Sequence, residues 1–176
     1  MSSEFDFSFD RPVYGEELLA GTGHLARAAW LAKHVRSDDI YFMQDGTLSR
    51  LLFKEILGSF VAGQYIATIV LGFSLIERTV AGRLAHVGEK AAALATSKSL
   101  LKNAWKRNWL NEEEHALLDD LREKIRNPIV HYRDHLSDSR PEVRAVLNAR
   151  AMEQVLEVDA KRVLEATIHV LHKTSI

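Results

Sequence analysis

Several residue types that would mark a chemistry are rare or missing in this 176-residue chain. Cysteine is absent, which excludes disulfides and thiolate chemistry and fits a reducing cytoplasm. Proline occurs only three times, so long helices can form between the prolines. The 23 Lys and Arg residues nearly balance 24 Asp and Glu residues, and the net charge of −1 exerts no overall attraction on nucleic acid. Any surface that binds RNA must therefore be local.

The start of the chain lacks the basic first residues and the apolar run of a secretory signal, and we predict a cytoplasmic protein. Phe5, Phe7 and Phe9 alternate with polar residues, but no second strand is available to pair with them. We therefore interpret residues 1–14 as an arm, lying on the domain or on a neighbouring subunit. Residues 15–176 are interpreted as a single all-α domain.

Residues 58–76 contain no charged side chain and are long enough to cross a bilayer. The stretch also contains serine, glutamine, threonine and glycine, and charges of both signs flank it. A central helix, buried in the core or at a subunit interface, explains the same composition. We predict the core helix and no membrane association.

Apolar spacing in the rest of the chain predicts helices joined by short loops. Asn111 is predicted to cap one helix because three glutamates follow it in the first helical turn, and Thr47 is predicted to cap another. The first helix is expected to bury Leu18, Leu19, Leu25, Ala29, Trp30 and Ala32, and the helix after Asn111 to bury Leu117, Leu118, Leu121 and Ile125. The predicted helices cover residues 15–36, 48–86 with a bend or break at Gly58 or Gly63, 97–109, 111–125 and about 144–172, with a turn or short helix in 88–97.

The run Arg126-Asn127-Pro128-Ile129-Val130-His131 places a permanent cation and a titratable base close together. Proline suits the first turn of a helix, so we predict that Asn127 is an N-cap and that a helix runs from Pro128 to about residue 136. Arg126 would then fold back over the helix N-terminus, where an anion such as phosphate is favoured. The alternative is a plain helix corner, in which Arg126 pairs with an acid and His131 is hydrogen-bonded in place.

Arginine and histidine are the groups that cleavage of RNA requires. RNA carries its own nucleophile, the 2′-hydroxyl beside each phosphodiester, so the protein must move a proton and stabilise extra charge on the phosphate. His131 suits the first task and Arg126 the second, while Asn127 would orient the imidazole or hold the substrate. This chemistry needs no cofactor or metal. His131 and His135 have metal-ligand spacing, but no third ligand accompanies them, so no metal site is predicted.

The segment resembles the signature of the HEPN superfamily (higher eukaryotes and prokaryotes nucleotide-binding domains). In that signature an arginine, usually followed by a polar residue, precedes a histidine at a fixed spacing. Arg126, Asn127 and His131 match it, and the helical pattern is similar over most of residues 48–173. The resemblance implies a dimeric, up-and-down helical bundle. It also implies a metal-independent ribonuclease that leaves a cyclic phosphate, with the motifs of two protomers forming one composite cleft.

The resemblance also bears on partners and on a second proton-transfer group. A homodimer would supply a second His131, and His135 is the candidate within one chain. The expected partners are RNA, a second copy, and an antitoxin or a nucleotidyltransferase-type protein. Some toxin members carry a tyrosine two positions after the histidine. Here Tyr132 follows His131 directly and Arg133 takes that place, so control by tyrosine modification is not carried over.

Glu77 interrupts an apolar run and needs a partner if it lies near a buried surface. Its partner is either Arg126 or His131, which it would hold in orientation, or a structural arginine such as Arg83 or Arg133.

Basic residues alternate with tryptophans just before the motif, a composition typical of surfaces that bind RNA. The alternative is a solvated helix face with Trp105 and Trp109 turned to the core. The RNA-binding candidates are Lys98, Lys102, Lys106, Arg107, Arg122 and Arg133.

The sequence thus favours a homodimeric, metal-independent endoribonuclease, acting as a toxin or defence effector, with Arg126 and His131 catalytic and Asn127 supporting them. Glu77, Tyr132 and His135 are the candidates for supporting roles around these three. A second hypothesis is a non-catalytic HEPN-fold module that binds nucleotide, RNA or a protein partner. A third is a helical membrane-associated or assembly protein that uses residues 58–76.

Overall fold

The computed structural model describes residues 22–35, 46–134 and 137–174. These residues form helices and turns without a strand, so the all-α fold class is confirmed. The predicted arm, Leu18, Leu19, His135 and the loop before residue 46 lie outside the described residues. The helices are α1 Thr22–His34, α2 Thr47–Val61, α3 Tyr65–His86, α4 Lys90–Ala93, α5 Ser97–Lys106, α6 Glu112–Leu121, a π-helical turn Arg122–Arg126, α7 Asn127–Val130, α8 Pro141–Leu147 and α9 Met152–Thr174.

Helix α3 is the centre of the domain and packs mainly against α2 and α9. Three of its hydroxyl groups are satisfied by nearby backbone carbonyls, which allows the helix to be buried on several sides. The hydroxyls of Thr68, Ser74 and Thr79 each donate to the carbonyl four residues earlier, at 3.0, 2.9 and 2.8 Å. The prediction of a core helix is confirmed in this part of the chain.

Gly72 lets α9 approach α3 closely. A Cβ at this position would lie 2.8 Å from Val163 Cγ1 and 3.2 Å from Thr167 Oγ1, both on α9. Thr167 also donates to the Val163 carbonyl at 2.8 Å and to the Gly72 carbonyl at 3.4 Å, so its buried hydroxyl is satisfied at the contact.

The predicted break in the long apolar stretch occurs at Gly63, which has φ +76° in the turn between α2 and α3. Only glycine adopts this conformation without steric cost. Gly58 instead continues α2. The uncharged residues 58–76 therefore bend back at this turn. By length and composition alone α3 could cross a membrane, and 44% of its apolar window is buried in the domain.

The predicted apolar side of α1 is right for Trp30 and wrong for the other three residues of it that the structure describes. Leu25, Ala29 and Ala32 are exposed, whereas Leu31 is buried and Trp30 packs on the Phe60 ring at 5.1 Å between centroids. A polar contact helps to orient α1, and the spacing of apolar residues in the sequence cannot predict such a contact. Arg27 Nε donates to the Val61 carbonyl at 2.9 Å, at the end of α2.

The predicted final helix is divided, because Arg144 belongs to α8 and α9 begins only at Met152. The side-chain amide of Asn148 donates to the Arg144 carbonyl at 2.7 Å and so satisfies the end of α8, and Ala149 follows with φ +50°. Arg144 then pairs with the buried Asp159 of α9, at 2.9 and 2.5 Å. This ion pair holds the short helix against α9.

Helix α6 begins as predicted at Asn111. The Asn111 side chain accepts from the Glu114 N–H at 2.8 Å, and Glu114 Oε2 accepts from the Asn111 N–H at 2.7 Å, which is a complete capping box. Leu118 and Leu121 are buried as predicted, but Leu117 is exposed. At α2 the predicted cap is wrong: Gly46 is the capping position and Thr47 is the first helical residue.

Burial alone would raise the pKa of Glu114. Hydrogen bonds from Lys173, from the backbone N–H of Asn111 and from His169 outweigh that effect and lower the pKa to about 2. Lys173 and His169 lie on α9 and contact the carboxylate at 2.6 and 2.7 Å. The carboxylate therefore joins the start of α6 to the end of α9.

Candidate functional site

The motif lies in an unbroken helical run that passes from α6 through the π-helical turn into α7. Asn127 N–H donates to the Arg122 carbonyl, five residues earlier, which is the wide spacing of a π-turn. Pro128 lacks an N–H, and in a regular α-helix its ring would clash with the carbonyl of Lys124. The wide turn just before the proline lets the helix continue past it.

The predicted helix start is therefore wrong. Asn127 has helical φ and ψ of −63° and −40°, and the helix ends at Val130, where His131 turns to the extended conformation with φ −125° and ψ 140°. Tyr132 to Asp134 continue without helical structure. The motif lies at a helix C-terminus, where carbonyl groups are free, so the anion site expected at a helix N-terminus is not formed.

The three motif residues contact one another within one chain. Arg126 Nη1 donates to Asn127 Oδ1 at 3.1 Å and lies 3.3 Å from His131 Nε2. Asn127 is 8% exposed, Arg126 is half-buried and His131 is exposed. The amide is thus part of the interior, whereas the imidazole and one side of the guanidinium face solvent.

Arg126 faces the Nε2 atom of the His131 imidazole. A guanidinium only donates hydrogen bonds, so a hydrogen bond between the two side chains uses the Nε2 lone pair. In that hydrogen bond, the nitrogen that faces Arg126 is the acceptor.

Glu77 from α3 lies on the other side of the same guanidinium. Its Oε1 is 3.8 Å from Arg126 Nη2, and it accepts no hydrogen bond from any residue that the structure describes, although it is buried. Of the predicted partners, Arg126 is therefore the one in contact. Arg83 instead lies over the Trp109 ring, 4.5 Å from its centroid.

Sequence reasoning missed Glu123, which lies behind Asn127. Asn127 Nδ2 donates to Glu123 Oε2 at 3.5 Å, and Glu123 Oε1 accepts from Arg122 Nη2 at 2.6 Å. The reversed amide would point its NH2 group at Arg126 and its oxygen at the Glu123 carboxylate, which is repulsive on both sides. Glu123 therefore holds the amide oxygen towards Arg126. The spacing of four residues signals this contact once the helix is known to continue through Pro128.

Arg122 is only 7% exposed, so its predicted place on an exposed basic surface is wrong. It donates to Asp119 Oδ1 from Nε at 3.0 Å and from Nη2 at 2.8 Å, in addition to Glu123. Burial alone would lower its pKa, but the hydrogen bonds to Asp119 and Glu123 outweigh that effect and raise it. Its role is to hold Glu123 in position.

The other predicted residues differ in their exposure and in their contacts. Tyr132 is 82% exposed and Arg133 is half-buried. Arg107 forms an ion pair with Glu89. Lys98, Lys102 and Lys106 are exposed along α5.

A shallow groove of about 300 Å³ lies between α6 and α9, lined by Leu117, Leu118, Ala166 and Val170 and by charged side chains at its rim. No motif residue lines it. The motif is instead an open surface, accessible to a polymer or to a second protein. Within the described ranges, no group of three or more His, Asp or Glu side chains is arranged to hold a metal ion.

No protein-family model, curated protein or solved structure matches the chain. The likeness to HEPN proteins therefore rests on Arg126, Asn127 and His131 and on the helical pattern around them.

Proposed function

We propose that this protein is a metal-independent endoribonuclease of the HEPN type. The observation that carries the proposal is the contact of Arg126 with both Asn127 and His131 in one chain, at 3.1 and 3.3 Å. It joins a permanent cation that suits a phosphate to an imidazole at an accessible surface.

In the proposed reaction, Arg126 binds the non-bridging oxygens of the scissile phosphate. His131 Nε2 takes the proton of the adjacent 2′-hydroxyl as its oxygen attacks phosphorus. The bond from phosphorus to the 5′-oxygen breaks, and that oxygen leaves with a proton from an acid. The products are a 2′,3′-cyclic phosphate and a 5′-hydroxyl, so water is not consumed. Arg126 also stabilises the additional negative charge on the phosphate oxygens.

The departing 5′-oxygen requires a second proton-transfer group. In a homodimer the His131 of the second copy would supply it across a composite cleft. The exposure of His131 and Tyr132 at the end of α7 supports this arrangement, because no described part of the chain covers the histidine. We extend the proposal to a cytoplasmic toxin or defence effector, neutralised by an antitoxin or a nucleotidyltransferase-type partner.

One observation favours the alternative, a non-catalytic module that binds nucleotide, RNA or a protein with the same surface. The Nε2 lone pair that a general base needs is engaged by Arg126 in the free protein. Cleavage therefore requires phosphate binding to draw the guanidinium away from the imidazole. A binding module requires no such change.

The proposal is tested by incubating purified protein with a mixed RNA pool, including tRNA, in EDTA. Wild type is expected to cleave. His131→Ala is expected to lose about 100-fold or more of the rate, the usual contribution of general acid–base catalysis. Arg126→Ala is expected to lose about as much, because it removes the charge that stabilises the transition state. His86→Ala removes an exposed histidine from the end of α3 and is the matched control with an unchanged rate. Folded wild type that forms a dimer and leaves every RNA intact would favour the binding module.

A further inference from the structure

Helix α5 has one apolar side and one strongly basic side. Leu100, Leu101 and Ala104 are buried, whereas Lys98, Lys102 and Lys106 are exposed. The three lysines are spaced four residues apart, so they follow one side of the helix at intervals of about 6 Å. Among the described residues none of the three forms an ion pair, in contrast to Lys124, Lys161 and Lys173.

Trp105 lies where these two sides meet. It follows Lys102 by three residues, which places the two side chains next to each other on the helix surface. The indole is 39% exposed, and it stacks on the His115 ring of α6 with 5.1 Å between centroids and 22° between planes. The sequence alternative that turned this side chain to the core is therefore wrong for Trp105. The stack fixes the orientation of a large exposed aromatic ring beside a row of lysines.

Trp109 belongs to the same basic and aromatic segment, but its ring has different neighbours from that of Trp105. The guanidinium of Arg83 lies 4.5 Å from its ring centroid and that of Arg107 lies 5.7 Å away. Two cations already interact with this ring. Within the described ranges, the Trp105 ring stacks on His115 alone. It is thus the tryptophan of the segment that is available to an external ring.

We propose that Trp105 is a stacking platform for an unpaired base of single-stranded RNA, whose phosphates contact Lys98, Lys102 and Lys106. This inference rests on the proposed function only for the identity of the polymer. Aromatic side chains stack on bases of any sequence, and lysines attract the phosphates, so the site accepts single strands without sequence preference. Bases paired in an RNA helix do not present a free face, so duplex RNA is excluded from the stack.

Negative charges near Trp105 limit the path that the RNA strand can take. Glu112 and Glu113 are exposed at the start of α6, close in sequence to His115. These carboxylates repel phosphate, so the strand follows the lysine side of α5 and only the base reaches Trp105.

The test is binding of a short, fluorescein-labelled oligoadenylate by fluorescence anisotropy, in a His131→Ala background where cleavage is slowed by about 100-fold or more. Trp105→Ala is expected to weaken binding by about 5- to 100-fold, the range of one stacked base, and Trp105→Phe is expected to restore most of the loss. Lys102→Ala is expected to lower the slope of log K against log salt by about 1. Lys54→Ala removes an exposed lysine from α2 and is expected to change nothing.

Unchanged affinity in Trp105→Ala, or no binding of the single strand by the parent protein, would overturn this inference. A duplex of the same RNA that loses as much affinity as the single strand on Trp105→Ala would also overturn it. Circular dichroism confirms that each variant is folded. The binding result does not depend on catalysis. If wild type cleaves RNA but Trp105→Ala binds RNA as well as its parent does, only the stacking platform is refuted. Binding that depends on Trp105 in a protein that never cleaves refutes the nuclease alone.

Discussion

The close approach of α3 and α9 can be tested with two glycine substitutions that should have opposite effects. Gly58 and Gly72 both lie inside helices. Replacing glycine by alanine in a helix stabilises it by about 1 kcal/mol if the new methyl group fits. Gly58 has no atom within 4 Å of the position that a Cβ would take, so Gly58→Ala should gain the full amount. For a chain of this size, about 1 kcal/mol raises Tm by about 2–4 °C.

Gly72→Ala receives the same helix propensity but meets Val163. The added Cβ would lie 2.8 Å from Val163 Cγ1, which is closer than Cβ atoms lie to other atoms in proteins, so the Val163 side chain or one of the two helices must shift. Val163 is fully buried, so it cannot move out into solvent and must displace its neighbours. Overpacking of this kind costs about 1–3 kcal/mol, which exceeds the gain of about 1 kcal/mol from propensity. We expect a net loss of up to about 2 kcal/mol.

The free energy of unfolding is measured by urea denaturation followed by circular dichroism. The decisive comparison repeats Gly72→Ala in a Val163→Ala background, where the contact with Val163 Cγ1 is removed and only the contact with Thr167 Oγ1 remains, so the substitution should cost less than it does in wild type. Gly72→Ala that stabilises wild type as much as Gly58→Ala does would show that α3 and α9 do not meet at Gly72.

Three further predictions concern ion pairs and the site. Arg144→Ala leaves the Asp159 carboxylate, which is 2% exposed, without its partner and should destabilise the protein by about 3 kcal/mol in urea denaturation. Because the folded-state pKa of Glu114 lies below its ordinary value of 4.5, its contribution to stability is complete above about pH 4.5 and is lost as the pH falls towards 2. Glu114→Gln should therefore flatten the acid limb of a plot of unfolding free energy against pH. Glu123→Ala should lower kcat for RNA about 10-fold by releasing the amide of Asn127, whereas Glu123→Gln, which keeps an acceptor oxygen, should retain most of it.

Each of these has a result that would contradict it. Arg144→Ala with unchanged stability would show that α8 is not held by its ion pair. An acid limb that is the same in Glu114→Gln and wild type would place the acid sensitivity in other carboxylates. Equal rates for the two Glu123 variants, whether both high or both low, would show that Glu123 does not act by positioning Asn127. Lys124→Ala, at the neighbouring exposed position, is the control for a change of charge in this turn.

Patterns with a local cause were predicted well from the sequence. Asn111 with its three following glutamates gave the capping box of α6, and Gly63 gave the break between α2 and α3. Both depend on residues close in the chain, so no knowledge of packing was needed. The contact of Glu77 with Arg126 was also among the predictions, because a carboxylate in an apolar run needs a cation.

The failures have physical causes outside the reach of local patterns. Pro128 predicted a helix start, but the π-helical turn before it let the helix continue, and this moved the motif to a helix end. Arg122 was assigned to the surface by its charge, whereas Asp119 and Glu123 allow it to be buried. The face of α1 was misassigned because Arg27 bonds a carbonyl of α2.

The most direct test of the proposed chemistry is the structure of the RNA product. A defined single-stranded RNA is cleaved in EDTA, the cleavage site is mapped, and the 3′ ends are analysed by mass spectrometry. A second substrate carries a single 2′-deoxynucleotide at the mapped site. We predict 2′,3′-cyclic phosphate ends from wild type. We also predict that the phosphodiester on the 3′ side of the deoxynucleotide stays intact. Cleavage of the deoxy bond, or products with a 5′-phosphate and a free 3′-hydroxyl, would show that the 2′-hydroxyl is not the nucleophile and would contradict the roles of Arg126 and His131.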